Sequence, residues 1–243
     1  MKYLFFLFLS VTLFFCFCNN DVVYGEPIIK PSLILKSFAF YWDYNNKYVK
    51  LNRDFIAVDE LRKTISKKEF LGKIISDGYL PLRLSSNSIN QYQLYKLPES
   101  TISDIIRTII QEANQDFSNL DVENKSIGEY NFLALDDKIY NNENTRNKVI
   151  ILKCWFIGCV KCLEEFPALY DLCDKYNSNK EVVFLSLAMD NKQDLETFLI
   201  KKPLKFNVIP NQKKYLIDAL KIYTYPTHVI IKNGVVLKRV NTF

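Results

Sequence analysis

The sequence contains only one histidine, His228, among its 243 residues, and only one pair of cysteines at CxxC spacing. A structural zinc site needs about four cysteine or histidine ligands at characteristic spacings, so no metal site is predicted. The basic residues are spread along the chain, and the net charge is only +5. Without a dense basic cluster, no nucleic-acid partner is predicted either. Internal repeats and low-complexity tracts are also lacking.

The N-terminus begins with an apolar run, rich in Phe and Leu, within residues 1–18. The run is too short to span a bilayer comfortably and is typical of the core of a signal peptide, which we place over residues 1–25. The Val-Tyr-Gly of residues 23–25 suits a cleavage site, whereas Cys16 or Cys18 could instead carry a lipid. An uncleaved anchor would export the same domain. We therefore expect an exported protein of the periplasm or cell envelope, with membrane contact only through an N-terminal anchor.

Residues 26–124 carry no motif of recognisable chemistry, and their patterning predicts a small α+β accessory domain of unknown role. The Asn45-Asn46 pair predicts a turn, and Ser100 is placed to cap a helix. The predicted elements are strands over 33–42, 47–58 and 91–97 and helices over 59–76 and 101–117. The polar stretch 119–129 marks the boundary, so a second domain is predicted over residues 125–243.

Strand and helix patterns alternate in the second domain, which predicts an α/β fold with a mixed central sheet flanked by helices. Asn233-Gly234 is a strong signal for a two-residue hairpin turn at the edge of that sheet. The predicted elements are strands over 149–156, 181–188, 228–232 and 235–240 and helices over 160–176, 193–201 and 211–220.

An apolar run over residues 150–157 leads directly to Cys159 and Cys162, after which an amphipathic helical pattern begins. This order predicts a buried strand that delivers two thiols to the start of a helix. Backbone N–H groups at a helix start favour the thiolate, which is the form that attacks disulfides. We therefore predict Cys159 as the nucleophile and Cys162, one turn deeper, as the resolving thiol. A plain structural disulfide and a pair of inert thiols are the alternatives.

The segment Trp155-Phe-Ile-Gly-Cys159-Val-Lys-Cys162-Leu-Glu-Glu165-Phe-Pro167 resembles the Trp-x-x-x-Cys-x-x-Cys-x-x-Glu-x-Pro motif of the TlpA/ResA group of envelope thiol-disulfide oxidoreductases. That group is part of the thioredoxin-like superfamily and is related to the AhpC/TSA redoxins. The resemblance implies a thioredoxin-like fold, catalytic roles for Cys159 and Cys162, and an acidic Glu165 that tunes the pair or exchanges protons with it. It also implies a helix bent at Pro167.

The same resemblance makes Pro226 the family's cis-proline, which lies against the dithiol and presents backbone to a substrate. Tyr225, Pro226 and Trp155 are therefore the predicted substrate contacts. No metal or organic cofactor is implied, because the dithiol is itself the redox centre. The implied partners are protein thiols and disulfides and an upstream redox partner, while the oligomeric state stays open.

Several residues depart from the family pattern or lie outside it. Lys153 stands where thioredoxin has a buried Asp, and we expect its ammonium to reach solvent. The alternative is a buried ammonium that loses its proton or, if charged, stabilises a nearby thiolate, but that cannot act as a carboxylate base. Gly158 replaces a bulky residue before the first cysteine and opens the surface there. We expect Cys154 and Cys173 to be buried fillers and His228 to have a structural role.

The sequence stops at Phe243, where the family's last helix is expected to begin. The sheet face around Val229, Ile231 and Val236 therefore needs another cover, which the accessory domain, a partner subunit or further residues could provide.

The sequence thus predicts an exported enzyme that reduces protein disulfides through a mixed disulfide with Cys159. A non-catalytic binding or scaffold module is the main alternative. A thiol peroxidase is a further alternative, although the Pro-x-x-x-Thr-x-x-Cys pattern of peroxiredoxins is missing around Cys154 and Cys159.

Overall fold

The structure is a computed structural model that describes residues 24–241. The predicted signal peptide, apart from its last two residues, lies outside the described residues. Within residues 24–241, no helix combines the length and the apolar character needed to cross a membrane. The described elements form two sheets, one in each half of the chain.

The first half has the α+β composition that its sequence predicts. Its elements, in chain order, are α1 (Pro31–Ile34), α2 (Phe38–Tyr48), β1 (Phe55–Val58), β2 (Thr64–Ile65), α3 (Lys67–Asp77), β3 (Tyr79–Leu84), β4 (Asn90–Lys96) and α4 (Ser103–Val122). The strands form a four-stranded sheet in the order β2-β1-β4-β3, with β1 and β4 parallel and the outer pairs antiparallel. Aromatic and aliphatic side chains from α2, α3 and α4 form one core with this sheet.

The aromatic segment after Ser37 is a helix, although its sequence predicts a strand. The Ser37 hydroxyl accepts a hydrogen bond from the backbone N–H three residues later and caps α2. Tyr41 and Tyr44 are buried, and their spacing places them on one helix face. The strand predicted over residues 33–42 and the turn predicted at residues 45–46 are therefore wrong. An N-cap and helical spacing outweigh the β propensity of the aromatic side chains.

Other elements in this half also differ from the prediction. The strand predicted over residues 47–58 is confined to β1, because α2 continues to Tyr48. The helix predicted from residue 59 begins at Lys67, because the hydroxyl of Ser66 accepts the backbone N–H of Glu69 at 3.1 Å and caps α3 there. Strand β3 was not predicted, since Pro81 has no N–H to donate. The sheet accommodates Pro81 because β3 is an outer strand, where one donor need not be paired.

Helix α4 is displaced towards the C-terminus relative to its prediction. It begins at Ser103 behind Ile102, and no side chain caps it, so the prediction of Ser100 as the cap is wrong. It continues to Val122, which makes the first residues of the polar stretch 119–129 helical. Asn119, on the last turns of α4, is buried and hydrogen-bonded, which a polar linker residue would not be.

The second half contains a five-stranded sheet in the order β11-β10-β7-β8-β9 and a separate hairpin, β5-β6. Its elements are β5 (Asn131–Leu133), β6 (Ile139–Asn141), β7 (Val149–Trp155), α5 (Val160–Glu164), α6 (Phe166–Tyr176), β8 (Val182–Ala188), α7 (Lys192–Lys201), β9 (Asn207–Ile209), α8 (Lys213–Asp218), β10 (Thr227–Lys232) and β11 (Val235–Val240). Strands β7, β8 and β9 are parallel, whereas β10 is antiparallel to β7 and β11. This mixed sheet with flanking helices confirms the predicted thioredoxin-like fold.

The central strand β7 separates two different environments, since successive side chains point to opposite faces of a sheet. On one face, Leu152 and Cys154 pack in a cluster with the β5-β6 hairpin and with Leu216 of α8. On the other face, Trp155 packs with Phe166 of α6, with α7 and with both cysteines of the CxxC pair. The dithiol therefore lies at the carboxyl end of the central strand, on the α6 side.

Helix α4 of the first half packs beside the sheet face for which the sequence analysis expects a cover in place of the family's last helix. Arg239 of β11 is buried, and its guanidinium donates to Asn119 Oδ1 at 2.8 Å, to the Ser118 carbonyl at 2.7 Å and to the Leu220 carbonyl at 3.1 Å. A groove of about 510 Å³ between α4 and the end of α8 is lined by Val229, among others. Val229, Ile231 and Val236 are buried in one cluster with the β5-β6 hairpin and α8, and Val122 of α4 packs against that cluster, so α4 supplies part of the cover.

Candidate active site

The dithiol occupies the turn between β7 and α5, in the order that the sequence predicts. Cys159 is the N-cap of α5, and its sulfur accepts the backbone N–H of Cys162 at 3.2 Å. The two sulfurs are joined in a disulfide. In the reduced protein the same N–H would stabilise a negative charge on Cys159, because a hydrogen bond to the charged form favours ionisation.

An acidic residue from the neighbouring strand fixes the loop before the dithiol. Asp190, which follows β8, accepts the backbone N–H of Ile157 at 2.9 Å. The N–H of Cys159 donates to the carbonyl of Phe156 at 3.1 Å. Asp190 was not identified from the sequence. The available signal was its position just after β8, since the carboxyl ends of adjacent parallel strands meet at one edge of a sheet.

The two cysteines differ in how deeply they are buried. Cys159 retains 7% of its surface, whereas Cys162 is completely buried. Gly158 and Val160, on either side of Cys159, are exposed. Only Cys159 is therefore placed to meet a sulfur on another molecule, and the absent side chain at Gly158 leaves the approach open.

The helix after the dithiol is interrupted at Glu165. Helix α5 ends at Glu164 and α6 starts at Phe166, with Pro167 in its first turn, where the missing N–H has no partner to lose. The helix predicted over residues 160–176 is thus two helices, interrupted two residues before Pro167. The interruption places the Glu165 side chain at the joint, pointing towards the sheet.

Glu165 forms a cluster with two residues that the sequence analysis did not assign to the site. Its Oε2 lies 3.0 Å from the Lys153 ammonium nitrogen and 2.9 Å from Nε2 of His228. The Lys153 side chain has no exposed surface, and His228 retains only 3% of its own. The expectation that the Lys153 ammonium reaches solvent is wrong, because Glu165 provides a partner inside the protein.

Burial and the contacts within this cluster shift the pKa values of all three groups. Burial raises the pKa of Glu165, but its hydrogen bonds and attraction to His228 and Lys153 outweigh burial and lower the pKa overall. Burial lowers the pKa of Lys153 and also that of His228, against the opposing effect of the carboxylate. With Glu165 ionised, the imidazole Nε2 donates its proton to the carboxylate.

The loop before β10 contributes the second side of the site. The Tyr225-Pro226 peptide bond is cis, as the resemblance implies. Pro226 is buried and Tyr225 is half-buried. The Tyr225 ring meets the Phe156 ring edge-on at 5.6 Å and packs against the cluster that contains both cysteines. Tyr225 therefore packs in the hydrophobic cluster of the dithiol, with Pro226 next to it in the chain, and their contact with a substrate stays a prediction.

Trp155 lies within the site but offers nothing to its surface. It is fully buried, its indole N–H donates to the Ser186 hydroxyl at 2.5 Å, and its ring meets Phe166 edge-on at 5.4 Å. Trp155 therefore packs in the same cluster as both cysteines, and the substrate contact predicted for it stays a prediction. Its partner, Ser186, was not identified from the sequence.

The remaining thiols of the described residues are isolated from the pair. Cys154 and Cys173 are free and buried, as expected for core fillers. Burial raises the pKa of Cys154 to about 12 and that of Cys173 to about 11, so neither ionises at neutral pH. Within residues 24–241, no three His, Cys, Asp or Glu side chains are grouped so as to hold a metal ion.

A mixed sheet in this order, with a CxxC pair at the start of the helix after its central strand, defines a thioredoxin-like protein. A model of the AhpC/TSA family matches residues 115–239, just over half of the sequence. The chain belongs to the AhpC/TSA family. The match begins inside α4, so it includes the part of that helix that contacts Arg239. No curated protein is significantly similar to the chain.

Solved structures of bacterial proteins align with about half of the chain. The thioredoxin domain of a thiol-disulfide oxidoreductase from Bacteroides vulgatus is 15% identical, with 48% of this chain and 86% of that one covered and a TM-score of 0.43. StoA from Bacillus subtilis is 19% identical, with 47% and 87% covered and a TM-score of 0.42. An exposed lipoprotein thioredoxin from Streptococcus pneumoniae is 20% identical, with 48% and 90% covered and a TM-score of 0.43.

Proposed function

We propose that the protein is an exported thiol-disulfide oxidoreductase that reduces disulfides in other proteins. The observation that carries this proposal is the pairing of a cysteine that keeps 7% of its surface exposed at a helix start with a fully buried cysteine three residues later. An accessible, stabilised thiolate can attack a disulfide, and a buried neighbour can then displace the product. The apolar N-terminal run supports export.

In the proposed reaction, the Cys159 thiolate attacks one sulfur of a substrate disulfide. The substrate S–S bond breaks, a mixed disulfide forms, and the first substrate sulfur leaves with the electron pair and takes up a proton. Cys162 then attacks Cys159, releases the second substrate thiol and leaves the oxidised pair. Two electrons pass from the dithiol to the substrate, and an upstream partner must return them.

Trapping the mixed disulfide tests this assignment. Without its resolving thiol, the Cys162→Ser variant should accumulate a covalent complex with a reducible protein such as insulin, whereas Cys159→Ser should form none. The covalent complex should disappear on addition of dithiothreitol. Complexes of equal abundance with both variants would contradict the assignment of the attacking sulfur.

Peroxide consumption distinguishes the peroxidase alternative from the proposed reductase. Peroxide consumption by the reduced protein should be far slower than its reduction of a protein disulfide, because no peroxiredoxin Thr-x-x-Cys pattern precedes Cys154 or Cys159. Turnover of peroxide at a comparable rate would favour the peroxidase. Full biological activity in a variant with both Cys159 and Cys162 replaced by Ser would favour a scaffold.

A further inference from the structure

A buried polar cluster lies next to the dithiol, and the reaction as described above does not use it. Lys153 of β7 and His228 of β10 are directly opposite each other in the antiparallel register, so both side chains lie on the same face of the sheet. Both contact the same oxygen of Glu165, at 3.0 Å and 2.9 Å. The three side chains therefore form one unit that joins two strands to the helix joint.

This cluster is adjacent to the resolving thiol. Glu165 follows Cys162 by three residues along the helical path, and residues at that spacing are neighbours on one helix face. The Lys153 ammonium also lies 5.6 Å from the centre of the Phe166 ring, and Phe166 packs in the same buried cluster as Cys162. A net charge on the three groups therefore acts on the Cys162 sulfur through the buried surroundings of Lys153 and Cys162, where charges are poorly screened.

The balance of charge decides the effect on that sulfur. A buried carboxylate alone would oppose ionisation of a neighbouring thiol, because two like charges would share one site. Lys153 cancels that charge, and His228 adds a hydrogen bond to the same oxygen and no charge when it is neutral. A glutamate beside the resolving thiol is thus compatible with a thiolate there.

We propose that Lys153 and His228 are positioning residues that hold Glu165 as a charge-compensated carboxylate, so that Cys162 can ionise for the resolving step. The inference rests on the proposed reductase function. In that step the Cys162 thiol ionises and its sulfur attacks Cys159, and the proton that it loses is balanced by the proton that the departing substrate thiolate takes up. The bond between Cys159 and the substrate breaks, and the substrate sulfur leaves with the electron pair and is protonated by solvent.

The first experiment measures the pKa of Cys162 in a Cys159→Ser background. Alkylation at a series of pH values, read on the Cys162 peptide by mass spectrometry, separates this thiol from the other cysteines. Lys153→Met should raise the pKa of Cys162 by about one unit or more, because the nearby cation is lost. Glu165→Gln should lower it, because the thiolate then replaces the carboxylate as the partner of Lys153.

Opposite shifts in the pKa of Cys162 in Lys153→Met and Glu165→Gln distinguish an electrostatic role from a structural one. Loosened packing would shift this pKa in the same direction in both variants. Glu165→Gln still tests the proposal if Lys153→Met does not fold. The matched control is Lys205→Met, which removes an exposed lysine from Asp174, 2.6 Å away, and should leave the pKa of Cys162 unchanged. An unchanged pKa in Glu165→Gln, or equal shifts in the control, would overturn the proposal.

The contribution of His228 is tested on Glu165 itself. The carboxyl carbon of Glu165, followed by NMR through a pH titration, should report a raised pKa in His228→Leu, since a hydrogen bond to the carboxylate is lost. His228→Gln should restore the lower value, because its amide can donate to the same oxygen. Equal pKa values in wild type and His228→Leu would remove His228 from the proposal.

A single-turnover reaction with an aromatic disulfide that releases a coloured thiol separates this inference from the proposed function. The reduced protein should release one thiol on attack by Cys159 and a second on resolution by Cys162. Lys153→Met should slow the second release about tenfold at pH 7 and leave the first unchanged, because about one-tenth as much Cys162 thiolate remains. If the wild type releases neither thiol, the proposed function fails. If the wild type releases both and Lys153→Met matches it, only the present inference fails.

Discussion

Replacing Arg239 with Leu should weaken the contact between the accessory region and the thioredoxin-like sheet. The Arg239 guanidinium is buried and donates to Asn119 of α4, to the Ser118 carbonyl and to the Leu220 carbonyl. Leucine fills much of the same volume but leaves these acceptors without their donor. If two of them stay shielded from water at roughly 1–2 kcal/mol each, the loss in unfolding free energy is about 3 kcal/mol.

Urea unfolding of the oxidised protein at pH 7, followed by circular dichroism, measures this loss. The control is Arg107→Leu on the exposed face of the same helix, where Arg107 pairs with Asp104 at 2.9 Å. Both partners are largely exposed, so the control should change the unfolding free energy by less than about 0.5 kcal/mol. A loss below about 1 kcal/mol in Arg239→Leu, or one equal to the control, would refute the proposed role of α4 as a cover.

Three further predictions concern local features of the structure. Gly234→Ala should cost about 1 kcal/mol in urea unfolding, because φ is 72° at this hairpin turn, and an unchanged stability would contradict that reasoning. Ser66→Ala should lose about 1 kcal/mol with the cap of α3, whereas a Ser66→Asp variant that keeps an acceptor should not. The pKa of Glu165 is lowered overall, since contacts with His228 and Lys153 outweigh burial, so its ionised form stabilises the protein above the unfolded pKa of about 4.3. The stability advantage of wild type over Glu165→Gln should therefore shrink as the pH falls through the folded pKa, and an advantage equal at pH 7 and pH 3 would contradict this.

The dithiol segment could be predicted from the sequence because its signals are local. The apolar run, the spacing of Cys159 and Cys162 and the helical pattern after them lie within some thirty consecutive residues. Asn233 and Gly234 both adopt left-handed backbone conformations, as the hairpin signal requires. In such stretches, propensity, periodicity and turn chemistry favour the same structure.

The aromatic stretch before Tyr48 was mispredicted because its local signals conflict. Phe, Tyr and Trp favour strands, whereas the Ser37 cap and the spacing of Tyr41 and Tyr44 favour a helix. Burial of those two rings against the first sheet decides in favour of the helix. Helix and strand propensities do not include tertiary packing of this kind.

The Lys153 cluster could not be predicted for a different reason. Its members are 12 and 63 residues apart along the chain, and only the pairing of β10 with β7 brings His228 opposite Lys153. A lysine in an apolar strand is ordinarily expected to extend its ammonium to solvent. Glu165, at the joint between α5 and α6, pairs with the Lys153 ammonium, which therefore does not have to reach solvent. This pairing forms only when the chain folds.

The central claim is that Cys159 and Cys162 form a reversible, reducing redox pair. Its most direct test is the reduction potential of the pair in protein lacking residues 1–25, equilibrated in glutathione or dithiothreitol buffers and read by alkylation and mass spectrometry. A value near or below roughly −220 mV is expected for a reductase. A value near roughly −120 to −180 mV would instead indicate an oxidant or isomerase, and two thiols that never form a reversible disulfide would contradict the enzyme assignment altogether.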